Sequence, residues 1–269
     1  MVKNAFHLKE TAVALYEDQK VAAMFRPLAC ATLDAVEITE TDVILDVACG
    51  TGIVSREIHA KISPTFPIHG VDLNADMIAM ARHVTHDRPG AFEWHVADIE
   101  NLPLPTGQFT KVFCQQGMQY FPNEITALIE IRRVMQAGGQ LITTIWGGAS
   151  DFFIAMSDSV SKHVSPEVGK RFLTPFSYKN ADKLTEMLGT AGFGAVTRTI
   201  LMVDRTIRNP DTSIKNEILG HPAGLQVLDA GETVVQAIVQ DIANACAKYQ
   251  VGENLVVPQR THMFIATAT

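Results

Sequence analysis

Apolar and polar positions recur along this chain with two different periods. Val21, Met24, Phe25 and Leu28 fall at i, i+3, i+4 and i+7, one face of a helix within residues 10–37. Pro27 interrupts that stretch, which predicts a break and a second helix beginning beside it. From residue 43 short apolar runs take over: "VILDVA", "PIHGVDL", "FEWHVAD", "KVFCQQ" and "GQLITTIW". Helical patterns separate them. Residues 75–86 put Met77, Ile78, Ala81 and Val84 on one face. Residues 124–136 do the same with Ile125, Leu128, Ile129 and Met135, between a predicted N-cap at Asn123 and a stop at Gly138. Five strands alternating with helices imply a parallel sheet covered on both faces.

The pattern loosens after Trp146. Residues 180–193 resume a helix ending at Gly192, "AVTRTILMVDRTI" alternates like a strand, and "THMFIATAT" closes as another. Val235, Ile238, Val239, Ile242, Cys246 and Tyr249 form a stripe inside a mostly helical segment. The expected fold is α/β and Rossmann-like. Its sheet is seven-stranded and mostly parallel with an antiparallel last strand, and helices cover both faces. The expected division is one domain: an arm over 1–40, a core over 41–147, inserts at 148–177 and 208–257, and the rest of the sheet over 178–207 and 258–269.

The glycine turn in "ILDVACGTGIVSREI" (44–58) is the first sign of chemistry. Gly50 and Gly52 permit a tight turn and close approach of a ligand, and a helix N-terminus follows. Asp72 lies twenty residues past Gly52 at a strand end, where a carboxylate accepts from ribose hydroxyls. A dinucleotide turn carries a third glycine for the pyrophosphate; Ser55 stands in its place. Asp98, after the third strand, suits an adenine amine, with Ile99 beside the ring. Asp46 sits in an apolar strand, where a carboxylate needs partners: the turn's own amides, the cofactor, or both.

Four blocks resemble class I S-adenosylmethionine-dependent methyltransferases, in the branch of the ubiquinone and menaquinone C-methyltransferases. They are "ILDVACGTGIVSREI", "GVDLNADMIAMAR", "HVADIENLPLPTGQFTKVFCQQGMQYFPN" and "EIRRVMQAGGQLITTIW". The resemblance implies S-adenosylmethionine as cofactor and S-adenosylhomocysteine as product. It implies that Asp46, Ala48, Gly50, Thr51 and Gly52 line the methionine part. Asp72 and Leu73 would take the ribose and adenine, Met77 would pack near the adenine, Asp98 and Ile99 would meet its edge, and Gln115 would face the cofactor's amine. Tyr16 and Phe25 of the arm would cover it. Tyr120 stands where many relatives carry a histidine, and is either a wall of the pocket or a group that orients or deprotonates the nucleophile.

Charge and cysteine usage narrow the rest. Formal charge is −7, which argues against a domain built to grip nucleic acid. Cys30, Cys49, Cys114 and Cys246 are scattered and read as reduced packing residues of a cytoplasmic protein. The first residues, "MVKNAFHLKE", show no apolar h-region, and no apolar run is long enough to span a membrane. The nine histidines show no metal-binding motif; His83 and His86 lack carboxylate company. The expected partner is a small-molecule substrate, and the alternative is a cofactor-binding protein of this fold that methylates nothing.

Overall fold

The computed structural model describes residues 10–178 and 181–269. The N-terminal arm runs through α1 (Glu10–Leu15), a π-helical segment (Tyr16–Phe25) and α2 (Arg26–Asp34). The chain does not break at Pro27. The Arg26 amide donates back five residues to the Val21 carbonyl, and Pro27 falls in the first turn of α2, where its missing N–H leaves no bond unmade. Turns of the π type are rare and gather at functional sites.

Among the described residues eight strands form one sheet: β1 (Ile44–Val47), β2 (Ile68–Asp72), β3 (Phe92–Val96), β4 (Phe109–Gln115), β5 (Met135–Trp146), β6 (Phe193–Ile207), β7 (Gln250–Val251) and β8 (Asn254–Ala268). Their order is β3-β2-β1-β4-β5-β8-β6, with β7 pairing only β8. The two-residue β7 accounts for the difference from the seven expected. Strands β1 to β5 are parallel, and β8 runs antiparallel to both β5 and β6. All of β1 is buried, as expected of a strand covered on both faces. Helices α3 (Ile53–Ile62), α4 (Ala75–Val84), α5 (Glu124–Val134) and α8 (Ala181–Thr190) accompany the sheet. One apolar core joins Leu45, Val112, Leu128, Ile131, Leu184 and Phe264. Another joins the arm to the sheet through Val21, Ala29, Ile44, Ile58, Phe113 and Met263.

Two boundaries differ from the sequence reading. Asn123 caps α5 as expected, its side chain accepting from the Thr126 amide at 3.2 Å. The helix, however, ends at Val134. Met135 is the first residue of β5, paired with Phe109, and Gly138 lies within that strand. Strand β8 begins at Asn254 rather than near 258, which shortens the second insert. Proline cannot donate to a ladder, yet Pro258 lies inside the strand. Here β5 ends at Trp146, opposite Thr261, so β8 at Pro258 has a partner only on the β6 side.

Beyond Trp146, β6 and β8 continue alone as a two-stranded ribbon from Met202–Arg260 to Ile207–Leu255. The inserts meet on it. The first gives α6 (Asp151–His163) and α7 (Pro166–Arg171); the second gives α9 (Pro210–Leu219), α10 (Gly224–Asp229) and α11 (Glu232–Ala245). They share one core that includes Phe152, Met156, Ile214, Val235, Ile238 and Ile242. No helix among the described residues is long and apolar enough to cross a membrane.

Candidate active site

Strand β1 has β2 on one side and β4 on the other, and successive connections leave it in opposite directions. Beyond the carboxyl ends of such strands lies the crevice where open α/β sheets bind ligands. Two non-glycine residues there have left-handed backbones, Ala48 at φ 52° and Gln116 at φ 57°. Such conformations cost free energy and gather at functional sites. The two strand ends are tightly apposed: a Cβ on Gly117 would stand 2.7 Å from that of Ala48.

The turn's two glycines do different work. Gly50 (φ 56°) would direct a side chain toward the arm, with the Tyr16 hydroxyl 3.7 Å away. Gly52 (φ 78°) faces inward: a Cβ there would meet the Trp94 indole, 2.9 Å from Cζ3 and closer to Cη2. Gly70, paired with Trp94 across β2 and β3, yields to the same ring. Gly52 therefore makes room for Trp94 rather than for a ligand. The sequence reading had no signal for this, since Trp94 lies more than forty residues from Gly52.

Asp46 and Ser55 explain each other. Asp46 is buried, and its Oδ2 accepts from the Ser55 hydroxyl at 2.8 Å and the Ser55 amide at 3.2 Å. Ser55 thus stands under the turn, tying α3 to β1. Burial pushes the Asp46 carboxyl up to about 7, against the pull of the Ser55 bonds. A raised carboxyl binds its proton in the folded state while the unfolded chain has lost it. Stability should therefore fall as pH rises from about 4 to about 7, by up to ~4 kcal/mol for a shift of about three units. Asp46→Asn keeps an acceptor and cannot ionise. In thermal melts of cofactor-free protein from pH 4 to 8, its stability should lose that part of the slope. An unchanged slope would show that Asp46 ionises normally.

The remaining predicted residues divide between crevice and core. Asp72 accepts from the Gly50 amide at 2.8 Å and the Asn74 amide at 2.9 Å, which fixes its carboxylate beside the turn. Leu73, next to it, is 45% exposed, as is Val96 at 49% on the neighbouring strand. Asp98 is exposed, and its Oδ1 accepts from the Glu100 amide. Ile99 is buried and packs in the main core. Met77 is buried in α4. Thr51 is buried with its hydroxyl unpartnered. Gln115 Nε2 donates to the Phe25 carbonyl at 3.1 Å, and its Oε1 is buried without a partner. Cys49 and Cys114 are buried free thiols. Burial pushes both up, Cys114 to about 12, which leaves them as packing groups.

The arm roofs this crevice. The Tyr16 hydroxyl, 3.7 Å from where a Cβ on Gly50 would stand, places the phenol beside the turn; burial first, then the Asp72 carboxylate, raises it. Tyr16 packs on Phe25 at 5.3 Å, Phe25 on Trp146 at 6.2 Å, Trp146 on Phe176 at 5.9 Å and Phe176 on Phe153 at 4.5 Å. Glu17 pairs with Arg56 of α3 at 2.8 Å. At the far end Arg205 lies over Phe153 and pairs with Glu217 at 3.4 Å; Lys20 of the arm reaches the same carboxylate at 3.1 Å. These charges escaped the sequence reading because their partners lie on three distant segments. Tyr120 follows β4 in a short 3-10 turn (Met118–Tyr120). Burial raises its phenol, with Gln119 opposing, so it is held neutral.

Residues 44–139 match the methyltransferase-domain family. The ubiquinone/menaquinone biosynthesis C-methyltransferase UbiE of Burkholderia vietnamiensis is 27% identical over 206 residues, covering 72% of this chain and 85% of that protein. Phosphoethanolamine N-methyltransferase 2 of Haemonchus contortus, solved with phosphomonomethylethanolamine and S-adenosylhomocysteine, has a similar fold. Its TM-score is 0.60 at 17% identity, over 97% of this chain and 57% of that one. So does the [4+2]-cyclase SpnF, at TM-score 0.55 and 20% identity, over 90% of this chain and 81% of that one. The domain match, the relatives and the fold all point to the class I S-adenosylmethionine-dependent methyltransferases. The same Haemonchus contortus enzyme has also been solved with S-adenosylmethionine, at TM-score 0.60 and 19% identity, over 97% of this chain and 57% of that one. The crevice fits that molecule: an anchored carboxylate, exposed apolar Leu73 beside it, and buried unpartnered oxygens on Thr51 and Gln115.

Proposed function

We propose that the protein transfers a methyl group from S-adenosylmethionine to a small-molecule acceptor held between arm and cap. Asp72 would take the ribose, Asp98 the adenine amine, Leu73 and Met77 the ring, and the turn from Ala48 to Gly52 with Gln115 the methionine end. The observation that carries the acceptor class is enclosure. The aromatic row from Tyr16 to Phe153 and the Lys20–Glu217 bridge run from the arm to the inserts, and in this reading they close the side of the crevice away from the adenosine. A macromolecular strand would have to part the arm from the cap.

When bound, the cofactor supplies a methyl group already activated by the sulfonium charge. The chain's own task is to hold the nucleophile in line and exclude water. Aromatic walls do both without a proton acceptor. Tyr120, neutral and largely enclosed, serves as such a wall in this reading. Tyr120→Phe should keep kcat within a few fold in steady-state assays. A fall of a hundredfold or more at unchanged KM, the scale of general base catalysis, would make the phenol a catalytic residue.

The function itself is tested by incubating the protein with methyl-labelled cofactor and a cell extract split into metabolite and macromolecule fractions. Label is expected in the metabolite fraction. Label in protein or RNA would overturn the acceptor class. A second reading, a protein that binds the cofactor and performs other chemistry, draws support from Tyr120 at a position where the family resemblance leads one to expect a histidine or other polar residue. Retained cofactor binding with no labelled product in either fraction would favour it.

A further inference from the structure

We propose that His69, Glu93 and His95 form a binding site for a divalent transition ion of the zinc class on the outer edge of the sheet. Strand register builds it. β2 and β3 are parallel, with His69 opposite Glu93 and Val71 opposite His95. Glu93 and His95 are two apart on an edge strand, so they share the face that His69 presents. Their ligand atoms all lie within 4.8 Å of one another.

The spacing is that of a coordination shell. His69 Nδ1 stands 3.3 Å from His95 Nε2 and 3.6 Å from Glu93 Oε2. Neighbouring ligands of a tetrahedral ion are separated by about 1.6 bond lengths, roughly 3.3 Å for zinc–nitrogen bonds of about 2.0–2.1 Å. A simple imidazole–imidazole hydrogen bond explains one of these contacts, at a length beyond the usual ~3.0 Å. It does not explain a third donor converging on the same nitrogen. The His69 ring is held in place by the edge of Phe109 at 5.2 Å and lies parallel to His95. Burial lowers both imidazoles, favouring the neutral form that ligates.

The donor set selects the ion. Two imidazoles and a carboxylate suit zinc, copper or nickel, whereas magnesium and calcium prefer all-oxygen shells. Glu93 is half exposed, which leaves a fourth position for water. Arg82, whose guanidinium donates to the Trp94 carbonyl, stands near His95 and opposes a dication. The site is therefore one of exchangeable occupancy. An ion there would fasten edge strand β3 to β2 just before Val96, which pairs with Asp72.

The test uses full-length protein prepared without a histidine tag and stripped with chelator. Calorimetric titration with zinc should show one equivalent bound, and cobalt should give the visible absorption of a four-coordinate centre. His69→Ala and His95→Ala should each abolish both signals, and Glu93→Gln should weaken zinc at least tenfold. His83→Ala, on exposed α4, should change neither. His95→Gln, at a partly exposed position, replaces His69→Ala if circular dichroism shows that variant unfolded. Zinc bound equally by the His95 variants, no stoichiometric binding, or magnesium bound as tightly would each overturn the proposal.

Discussion

Asp72→Ala is expected to weaken S-adenosylmethionine binding by roughly a hundredfold or more. Two ribose hydroxyls donating to a carboxylate are worth about 1.5 kcal/mol each, and ~3 kcal/mol is about two orders of magnitude in affinity. The true loss should exceed that figure, because Asp72 also holds the Gly50 amide at 2.8 Å and so shapes the turn. Asp72→Asn separates the two contributions. It keeps an acceptor for Gly50 but gives up the charge and one acceptor, and should fall between wild type and alanine. Calorimetry with S-adenosylmethionine and S-adenosylhomocysteine reads both variants. Wild-type affinity in Asp72→Ala would place the ribose elsewhere.

The largest effect on folding is expected at Gly52. Gly52→Ala must adopt a left-handed backbone at φ 78° and press a methyl group into the Trp94 indole. The backbone costs about 1–2 kcal/mol and overpacking about 1–3 kcal/mol, so the sum is ~3–4 kcal/mol. For a domain of this size that lowers Tm by roughly 10 °C. Trp94→Leu removes the ring that Gly52 accommodates. In that background Gly52→Ala should cost only the backbone part, and the cycle of four melts isolates the clash. Additive effects would mean that Trp94 does not explain the glycine. Gly50→Ala, with only the Tyr16 hydroxyl 3.7 Å away, should be milder for stability.

The strand-end chemistry was legible in the sequence because it is local. A glycine turn and a carboxylate at the end of the following strand bring Gly50 and Asp72 together without any long-range knowledge, and the Gly50 amide donates to Asp72. Ser55 was legible as a departure from a dinucleotide turn, but its partner Asp46 was not, since a buried carboxylate looks the same whichever group satisfies it. Features made by pairing distant segments were invisible. Trp94 reaches Gly52 only through strand register, and His69 meets Glu93 and His95 the same way. The cap core joins α6 to α11 across the whole of β6.

The ribbon beyond Trp146 bears on how such a protein acquires new specificity. Its strands pair in the sheet only with each other there and with the short β7, and one apolar core joins the helices of both inserts. The cap is therefore joined to the crevice by a graft union, crossed by the aromatic row through Trp146 and Phe176 and by the Lys20–Glu217 bridge. Helices can be lengthened, shortened or exchanged above that union while Asp46, Asp72 and the glycine turn keep their geometry. Swapping the segment between Ile207 and Asn254, together with its partner after Gly148, is thus the most economical way to redirect this scaffold to another acceptor.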